Sequence, residues 1–308
     1  MIVVFGSLNI DIVMPVGAFP KPGETVLCST DYLSRPGGKG ANQAMAAARA
    51  GGKVAMIGMV GDDSFGRRST NNLKQQGIWV SGVGTSERPT GCAMIAVDMQ
   101  GKNFAIVAPG ANLDTRSDQV PDEVFTRQNI ILTQLEVTPE ETFSILERAY
   151  AKGTTTVLNA APARNMPASK LKNAHYLIVN EIEALQLAHN AGVVGTDARV
   201  LTKEIARMGG LTCIVTLEAK GAVAATKAGE VYVMPALAID PVDTTGAGDA
   251  FCGIFAACLQ AGENWLSALH HAGVGGGLSC LGLGAQDGMP FLEDIKKNLA
   301  KVTPPQKI

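Results

Sequence analysis

The chain has 308 residues, 46% of them hydrophobic, and a formal net charge of −2 at pH 7. That length suits one large α/β domain or two smaller ones with a substantial core. The near-neutral charge, with no basic block anywhere, argues against a nucleic-acid partner, and no apolar run reaches the roughly 20 residues of a membrane span. The cysteines (Cys28, Cys92, Cys213, Cys252, Cys258 and Cys280) form no CxxC pair, so zinc and disulfide chemistry are not expected and a reducing, cytoplasmic setting is.

Met1 to Gly6 lacks a basic leader and a cleavage site, and predicts a buried first strand at Ile2 to Phe5 in place of a signal peptide. Helices are expected at 41–50 and 63–77 around a strand at Val54 to Gly58. The rhythm resumes with strand Ile130 to Leu135, helix 139–152, strand Thr155 to Asn159, helix 167–172 and strand Tyr176 to Val179. Helices 181–190 and 197–208 then lead to strand Thr212 to Leu217. Repeated βαβ units imply a mostly parallel sheet covered by helices. Ile12 to Leu33 and Thr90 to Val107 break the rhythm; their alternation, with a turn at Met99 to Lys102, predicts a separate antiparallel sheet. Ala222 to Thr226 and Val231 to Met234 read as a hairpin, followed by helices at 248–261, 265–280 and 291–301. Without repeats or long linkers, the chain reads as one domain, 1–308, with an inserted lid at about 12–36 and 90–107.

The most informative stretch is Val242 to Phe251, where Gly246, Ala247 and Gly248 lead into an apolar helix. The first turn of a helix offers unpaired N–H groups and the positive end of the dipole, so a phosphate can approach this bare backbone. Asp249 projects from the same turn. A carboxylate there repels an anion, and is well placed only if it takes a proton from a hydroxyl attacking the phosphate. Taken alone, the same residues equally make a Gly-rich turn with an Asp favoured by the dipole. Upstream, Arg35 to Gln43 is a second Gly-rich cluster, with Gly37, Gly38 and Gly40 opening a small-residue helix. Neither cluster is a P-loop, because Gly-Gly-Lys at 37–39 is followed by Gly40 and not by a hydroxyl residue, and no GxGxxG follows the first strand.

Together these two clusters resemble the signatures of the ribokinase-like sugar kinases, the PfkB family. The likeness continues through Ala44 to Gly51 and Gly58 to Gly66, and it extends to Gly6 to Asp11, Pro22 to Val26 and Asn159 to Ala163. It implies a three-layer α/β sandwich with a mostly parallel central sheet and a small antiparallel β lid. It also implies an ATP-dependent kinase acting on the primary hydroxyl of a small sugar, D-ribose at O5 before others. Another sugar or a nucleoside (fructose, a keto-deoxy sugar acid, adenosine or cytidine) is the alternative, and a non-catalytic sugar-binding regulator is a third reading.

Carried onto this sequence, the resemblance makes Asp249 the base and Gly246, Ala247 and Gly248 the anion hole. Asn9, Asp11, Gly38, Lys39, Asn42 and Glu136 become sugar-binding groups, since each hydroxyl taken from water needs a partner. Asn180 and Glu183 match N-x-x-E, which would hold Mg²⁺ largely through water; the same pair also makes a capping box. Thr216, Glu218 and Gly221 fall on the ATP side, where Thr216-Leu217-Glu218 departs from the usual Thr-Leu-Gly. Asp243, Thr245, Ser279, Gly282, Gly284 and Gly288 would surround K⁺, although this loop keeps Gly284-Ala285-Gln286 and Pro290 while lacking the family's Arg and Ser. The expected partners are a sugar and ATP, with no nucleic acid or membrane. A homodimer joined through the lids is expected, with Val13, Val26 and Ile95 as contacts, because a small sheet leaves an apolar face and open edges to cover. His270 and His271 are expected to pack and not to react.

Overall fold

The computed structural model describes every residue except Gly101, Asn165 and Val194, so the tip of the turn expected at Met99 to Lys102 lies outside the described residues. In chain order come β1 (Ile2–Phe5), β2 (Asn9–Pro15), β3 (Leu33–Gly37), α1 (Lys39–Arg49), β4 (Val54–Gly61), α2 (Ser64–Gln75) and β5 (Trp79–Ser86). Next are β6 (Gly91–Val97), β7 (Asn103–Ala108), β8 (Ile130–Thr133), α3 (Pro139–Ala151), β9 (Thr155–Asn159), β10 (Tyr176–Asn180), α4 (Glu181–Asn190) and α5 (Ala198–Gly209). The chain closes with β11 (Thr212–Thr216), β12 (Ala222–Ala225), β13 (Val231–Met234), α6 (Ala247–Gln260), α7 (Trp265–Ser279), α8 (Leu292–Asn298) and β14 (Gln306–Lys307).

Ten strands form one sheet in the order β14-β13-β12-β11-β10-β9-β8-β1-β4-β5. Neighbours from β11 through β5 run parallel, while β12, β13 and β14 add on antiparallel. A parallel sheet must be covered on both faces, and the two-residue period of β1 sorts its side chains accordingly. Ile2 and Val4 enter a core with Met45 of α1, Phe251 and Phe255 of α6, and Leu269 of α7. Val3 and Phe5 point the other way, to Ile145 of α3. Leu187 of α4 and Ile205 of α5 extend that second layer. The result is helix, sheet, helix.

The second sheet has the order β3-β2-β6-β7. Its two outer pairs, β2/β3 and β6/β7, are antiparallel, and a parallel pairing of β2 with β6 joins them. Asp11 lies opposite Arg35 on one side and Ala93 on the other, so these residues share a face, along which Val13 and Ile95 follow. Met94, Ile106 and Phe104 lie on the opposite face and are 48%, 60% and 57% exposed.

Several boundaries differ from expectation. Helix α1 begins at Lys39 and not 41, because Gly38 turns the chain at φ 89° directly before it. Strand β4 runs on to Gly61, and α2 spans 64–75 with Asp63 capping the Gly66 N–H. Residues 168–173 form a 3₁₀ turn where a helix was expected, and 292–298 is followed by another. Between β2 and β3, residues 16–32 form no strand and carry one isolated bridge, Val16 to Cys28, so Val26 lies outside the sheet. Strand β5 was not expected; Gly82 and Gly84 interrupt its apolar pattern, and a Cβ on Gly82 would lie 2.2 Å from Ile57 Cδ1.

One contact sets how closely two helices of the first layer approach. A Cβ on Gly253 of α6 would lie 2.4 Å from the Gln43 carbonyl and 2.8 Å from the Ala47 nitrogen of α1. The two helices therefore cross in direct backbone contact. Gly253→Ala is expected to force them apart and to lower stability by about 1–3 kcal/mol, the usual range for overpacking a core. Chemical denaturation of wild type and variant measures it, and an unchanged midpoint would contradict the packing described.

Candidate active site

Five parallel strands end side by side, and their carboxyl ends carry the polar residues of the crevice. In sheet order these are Thr216, Asn180, Asn159, Gln134 to Glu136, and Ser7 to Asp11. Open α/β sheets collect ligands at this edge.

Above β1, the start of α1 meets β2. Glu136 Oε2 accepts from the Ser7 hydroxyl at 2.6 Å and the Lys39 N–H at 3.0 Å, which pins the helix start to the end of β8. Asn9 Oδ1 accepts from Asn112 Nδ2 at 2.7 Å, so the Asn9 amide is oriented with its N–H groups free to donate. A Cβ on Gly37 would lie 2.1 Å from the Asp11 carboxylate; the glycine makes room for it. Burial pushes the Asp11 carboxyl up to about 7, with Glu136 and Asp249 adding repulsion and Lys39 opposing it. The Lys39 ammonium is held above its ordinary range, chiefly by Asp249 acting against burial, with help from Glu136 and Glu183. Lys39 therefore stands among four carboxylates, Asp11, Glu136, Glu183 and Asp249.

Facing this group is the N-terminus of α6. Gly246 caps it at φ 82° without any side-chain bond, so the first-turn N–H groups are not spent on a side chain. A Cβ on Gly246 would lie 2.9 Å from Ala285 Cα, whereas one on Gly248 would meet nothing within 4 Å. Packing explains the first glycine. The second leaves open space over the backbone, as an anion site requires. Asp249 is buried, with Oδ2 accepting from Asn42 Nδ2 at 3.0 Å and Oδ1 from Gln43 Nε2 at 2.9 Å.

On the far side of the crevice, Asn180 and Glu183 form the capping box of α4. Glu183 Oε2 accepts from the Asn180 N–H at 2.9 Å, and Asn180 Oδ1 from the Glu183 N–H at 2.8 Å. Glu183 is also buried in the cleft, where desolvation raises its carboxyl and Lys39 pulls the other way. Its Oε1 makes no hydrogen bond among the described residues, so one oxygen remains for a hydrated Mg²⁺. Thr216 lies at the end of β11. Glu218 is exposed and adopts φ 52°, and a Cβ on Gly221 would lie 2.0 Å from the Met234 carbonyl.

The loop after α7 folds against α6. Asp243 accepts from the Thr245 and Gly284 N–H groups at 2.9 and 2.8 Å. Burial works to raise its carboxyl, but these bonds and Arg35 outweigh it and the group sits below its ordinary value. The Ser279, Gly284 and Gly282 carbonyls converge on Gly288, lying 2.7, 3.2 and 3.4 Å from where its Cβ would stand. A cradle of backbone oxygens beside a carboxylate is a hard donor set that fits a monovalent cation. Arg35 reaches this loop from β3, donating to the Leu283 carbonyl at 2.8 Å and to Asp287 at 3.2 Å.

The sequence analysis does not single out Ser7, Gln43, Gln134 or Asn112. Ser7 and Gln43 lie inside stretches that it quotes, Gly6 to Asp11 and Arg35 to Gln43, and so carried a signal by adjacency. The histidines stay outside the crevice chemistry: His270 contacts the Val302 carbonyl, and His271 Nδ1 the Ser267 carbonyl. His271 also lies near Cys258 and Glu263, but burial pushes that thiol up to about 12, which disfavours a metal-binding thiolate.

The model of the pfkB family carbohydrate kinases matches residues 1–292. The ribokinase of Bacillus subtilis (strain 168) is 34% identical over 304 residues, covering 97% of this chain and 99% of that one. The crystal structure of a ribokinase from Thermotoga maritima superposes with a TM-score of 0.89 at 32% identity, covering 97% of this chain and 99% of that one. An Arabidopsis thaliana ribokinase complexed with ribose and ATP gives 0.86 at 26% identity, covering 97% and 98%.

A carboxyl titrating near 7 makes binding at this crevice depend on pH. Ionised Asp11 can only accept, which suits a hydroxyl ligand; once protonated, that acceptor is weakened. If only the ionised form binds, affinity at pH 6 falls about tenfold below that at pH 8. Calorimetric titration of the nucleotide-free protein with a pentose at both pH values checks this, and the dependence should vanish in Asp11→Asn.

Proposed function

The chain belongs to the pfkB family of carbohydrate kinases, and from that membership we propose that it transfers the γ-phosphoryl group of ATP to O5 of D-ribose. The observation that carries this reading is Asp249, a buried carboxylate on the uncapped first turn of α6, facing Asp11, Glu136 and Lys39. Asp249 takes the O5 proton as the oxygen attacks. The O5–Pγ bond forms, the bond from Pγ to the β-phosphate oxygen breaks, and ADP leaves. Gly246, Ala247 and Gly248 hold the transferring group by their backbone, so the rate comes mostly from positioning and charge stabilisation.

Asn9, Asp11, Gly38, Lys39, Asn42 and Glu136 would bind the sugar, and Asn180, Thr216, Glu218 and Gly221 would border the nucleotide. Glu183 would hold a hydrated Mg²⁺, which would neutralise phosphate charge during the transfer. Potassium would sit among Asp243, Thr245 and the Ser279, Gly282, Gly284 and Gly288 backbone. The face of the small sheet that carries Asp11 presents Val13, Ala93, Ile95 and Val107, and no aromatic side chain among the described residues. That supports a small polyol over a nucleoside, whose base calls for stacking.

Asp249→Asn keeps the shape of the site but removes the base, and kcat is expected to fall about 10²- to 10⁴-fold with sugar binding retained. Coupled-assay kinetics and sugar titration measure the two separately; near-wild-type turnover would sink the assignment.

The whole chain is proposed to be one kinase domain with the small sheet as its lid, and to work in the cytoplasm. All six cysteines are free, and no helix of the described residues is long and apolar enough to cross a membrane. We further propose a homodimer through the lids. Val13 and Ile95 share the Asp11 face, so the better contacts are Met94, Ile106 and Phe104 on the other face, whose exposure leaves apolar surface to cover. Ile106→Asp is expected to shift sedimentation from dimer to monomer and to raise the KM for sugar. A fully active monomeric wild type would end the dimer proposal.

A further inference from the structure

Asp249 is the root of two chains of side-chain amides. An ionised carboxylate can only accept, so the amides touching it must both present N–H, Asn42 to Oδ2 and Gln43 to Oδ1. That fixes everything behind them. The Asn42 carbonyl then faces outward and accepts from Gln286 Nε2 at 3.0 Å, whose own carbonyl accepts from Asn72 Nδ2 at 2.6 Å. The Gln43 carbonyl accepts from Gln134 Nε2 at 2.6 Å, while its second N–H goes to Asn159 Oδ1 at 3.1 Å. Asn159 in turn donates to the Ile178 carbonyl at 3.0 Å. Turning over any amide in either chain would set oxygen against oxygen.

Asn42, Gln43, Gln134, Asn159 and Gln286 are all buried. In such surroundings a lost partner leaves a desolvated polar group, so the chains are rigid as units. Both side-chain N–H groups of Gln43 are spent inside the protein and its carbonyl already accepts from Gln134, which leaves it no donor to offer a ligand. The chains also answer a physical problem. Asp249 is the charge that acts most strongly on Lys39, and a direct ion pair between them would occupy a lone pair needed for proton abstraction.

We propose that Gln43 and Gln286 are positioning residues for Asp249, holding one amide donor on each carboxylate oxygen so that the remaining lone pairs face the attacking hydroxyl. Gln286 makes the 282–288 loop part of that support, which gives the retained Gly284-Ala285-Gln286 stretch a role. The inference rests on Asp249 acting as the base.

The test compares Gln43→Met, Gln43→Glu, Gln286→Met and Asp249→Asn in steady-state assays across pH. Gln43→Met keeps the volume and removes the bonds. It is expected to lower kcat about 10- to 100-fold, the scale of a misplaced reacting group, with both KM values within about threefold. Gln43→Glu sets a second carboxyl against Asp249, so the acidic limb of the kcat profile should move up by roughly a pH unit or more, with activity regained at alkaline pH. Gln286→Met, in a loop, should lower kcat in the same direction by less, and it decides the question if the Gln43 variants do not fold. A folded Gln43→Met or Gln286→Met enzyme with wild-type kcat overturns the proposal, as does an unmoved pH profile in Gln43→Glu. Inactive Asp249→Asn beside fully active Gln43→Met would refute the positioning role alone; active Asp249→Asn would remove the base assignment itself.

Discussion

The site depends on the close crossing of α1 and α6. Gly253 lies against the backbone at Gln43 and Ala47, and Ala44, Ala46, Ala47, Ala250, Ala256 and Ala257 fill the surrounding core with small side chains. Larger residues would separate the two axes. Because the helices touch, the first turn of α1 and the first turn of α6 open into the same space, and Asn42 and Gln43 reach Asp249 directly. The acceptor side and the anion side of the proposed reaction are thus fixed to each other through a packed interior and not through a flexible loop. That is the arrangement positioning catalysis needs.

Charge sets the second constraint. Asp11, Glu136, Glu183 and Asp249 share the crevice with one lysine, and burial, with repulsion from Glu136 and Asp249 added to it, raises the Asp11 carboxyl to about 7. A neutral polyol relieves it, because its hydroxyls donate to carboxylates and bring no charge. A triphosphate does the reverse. The carboxylates oppose its approach, and Lys39, already coupled to all of them, cannot balance it alone. The uncapped turn of α6 contributes partial charge only. In the proposed reaction, the oxygen donors at Glu183 and around Gly288 therefore follow from an unmet demand for positive charge.

Much of this was legible in the sequence, because the parts that position the site are written locally. Gly-rich turns running into small-residue helices announce themselves at Arg35 to Gln43 and Val242 to Phe251, and each strand of the parallel core reads as a short β-branched run. What was hidden depends on distant pairing. Strand β5 contains Gly82 and Gly84, which erase its period, and their reason is contact with Ile57 and Met59 of β4. The parallel seam between β2 and β6 joins segments far apart in the chain, so no local turn could signal it. The amide chains are harder still. Gln43, Gln134 and Gln286 come from three separate elements, and a buried glutamine has the same letter as an exposed one.

The departure at Glu218 shows why a motif must be read through its backbone. The expected glycine suggested a need for either a positive φ or close approach to phosphate. Glu218 keeps the first feature, at φ 52°, at a cost of about 1–2 kcal/mol for a residue with a Cβ. Its side chain is exposed, so its carboxylate can remain in solvent. The close approach in this loop belongs to Gly221, which passes so near the Met234 carbonyl that no Cβ would fit. The second glycine therefore fixes the close packing of this loop, and Glu218 places a carboxylate at its rim. The same logic governs Asn180 and Glu183. The capping box uses Oε2 and leaves Oε1, so starting a helix and facing a hydrated cation are compatible duties of one carboxylate.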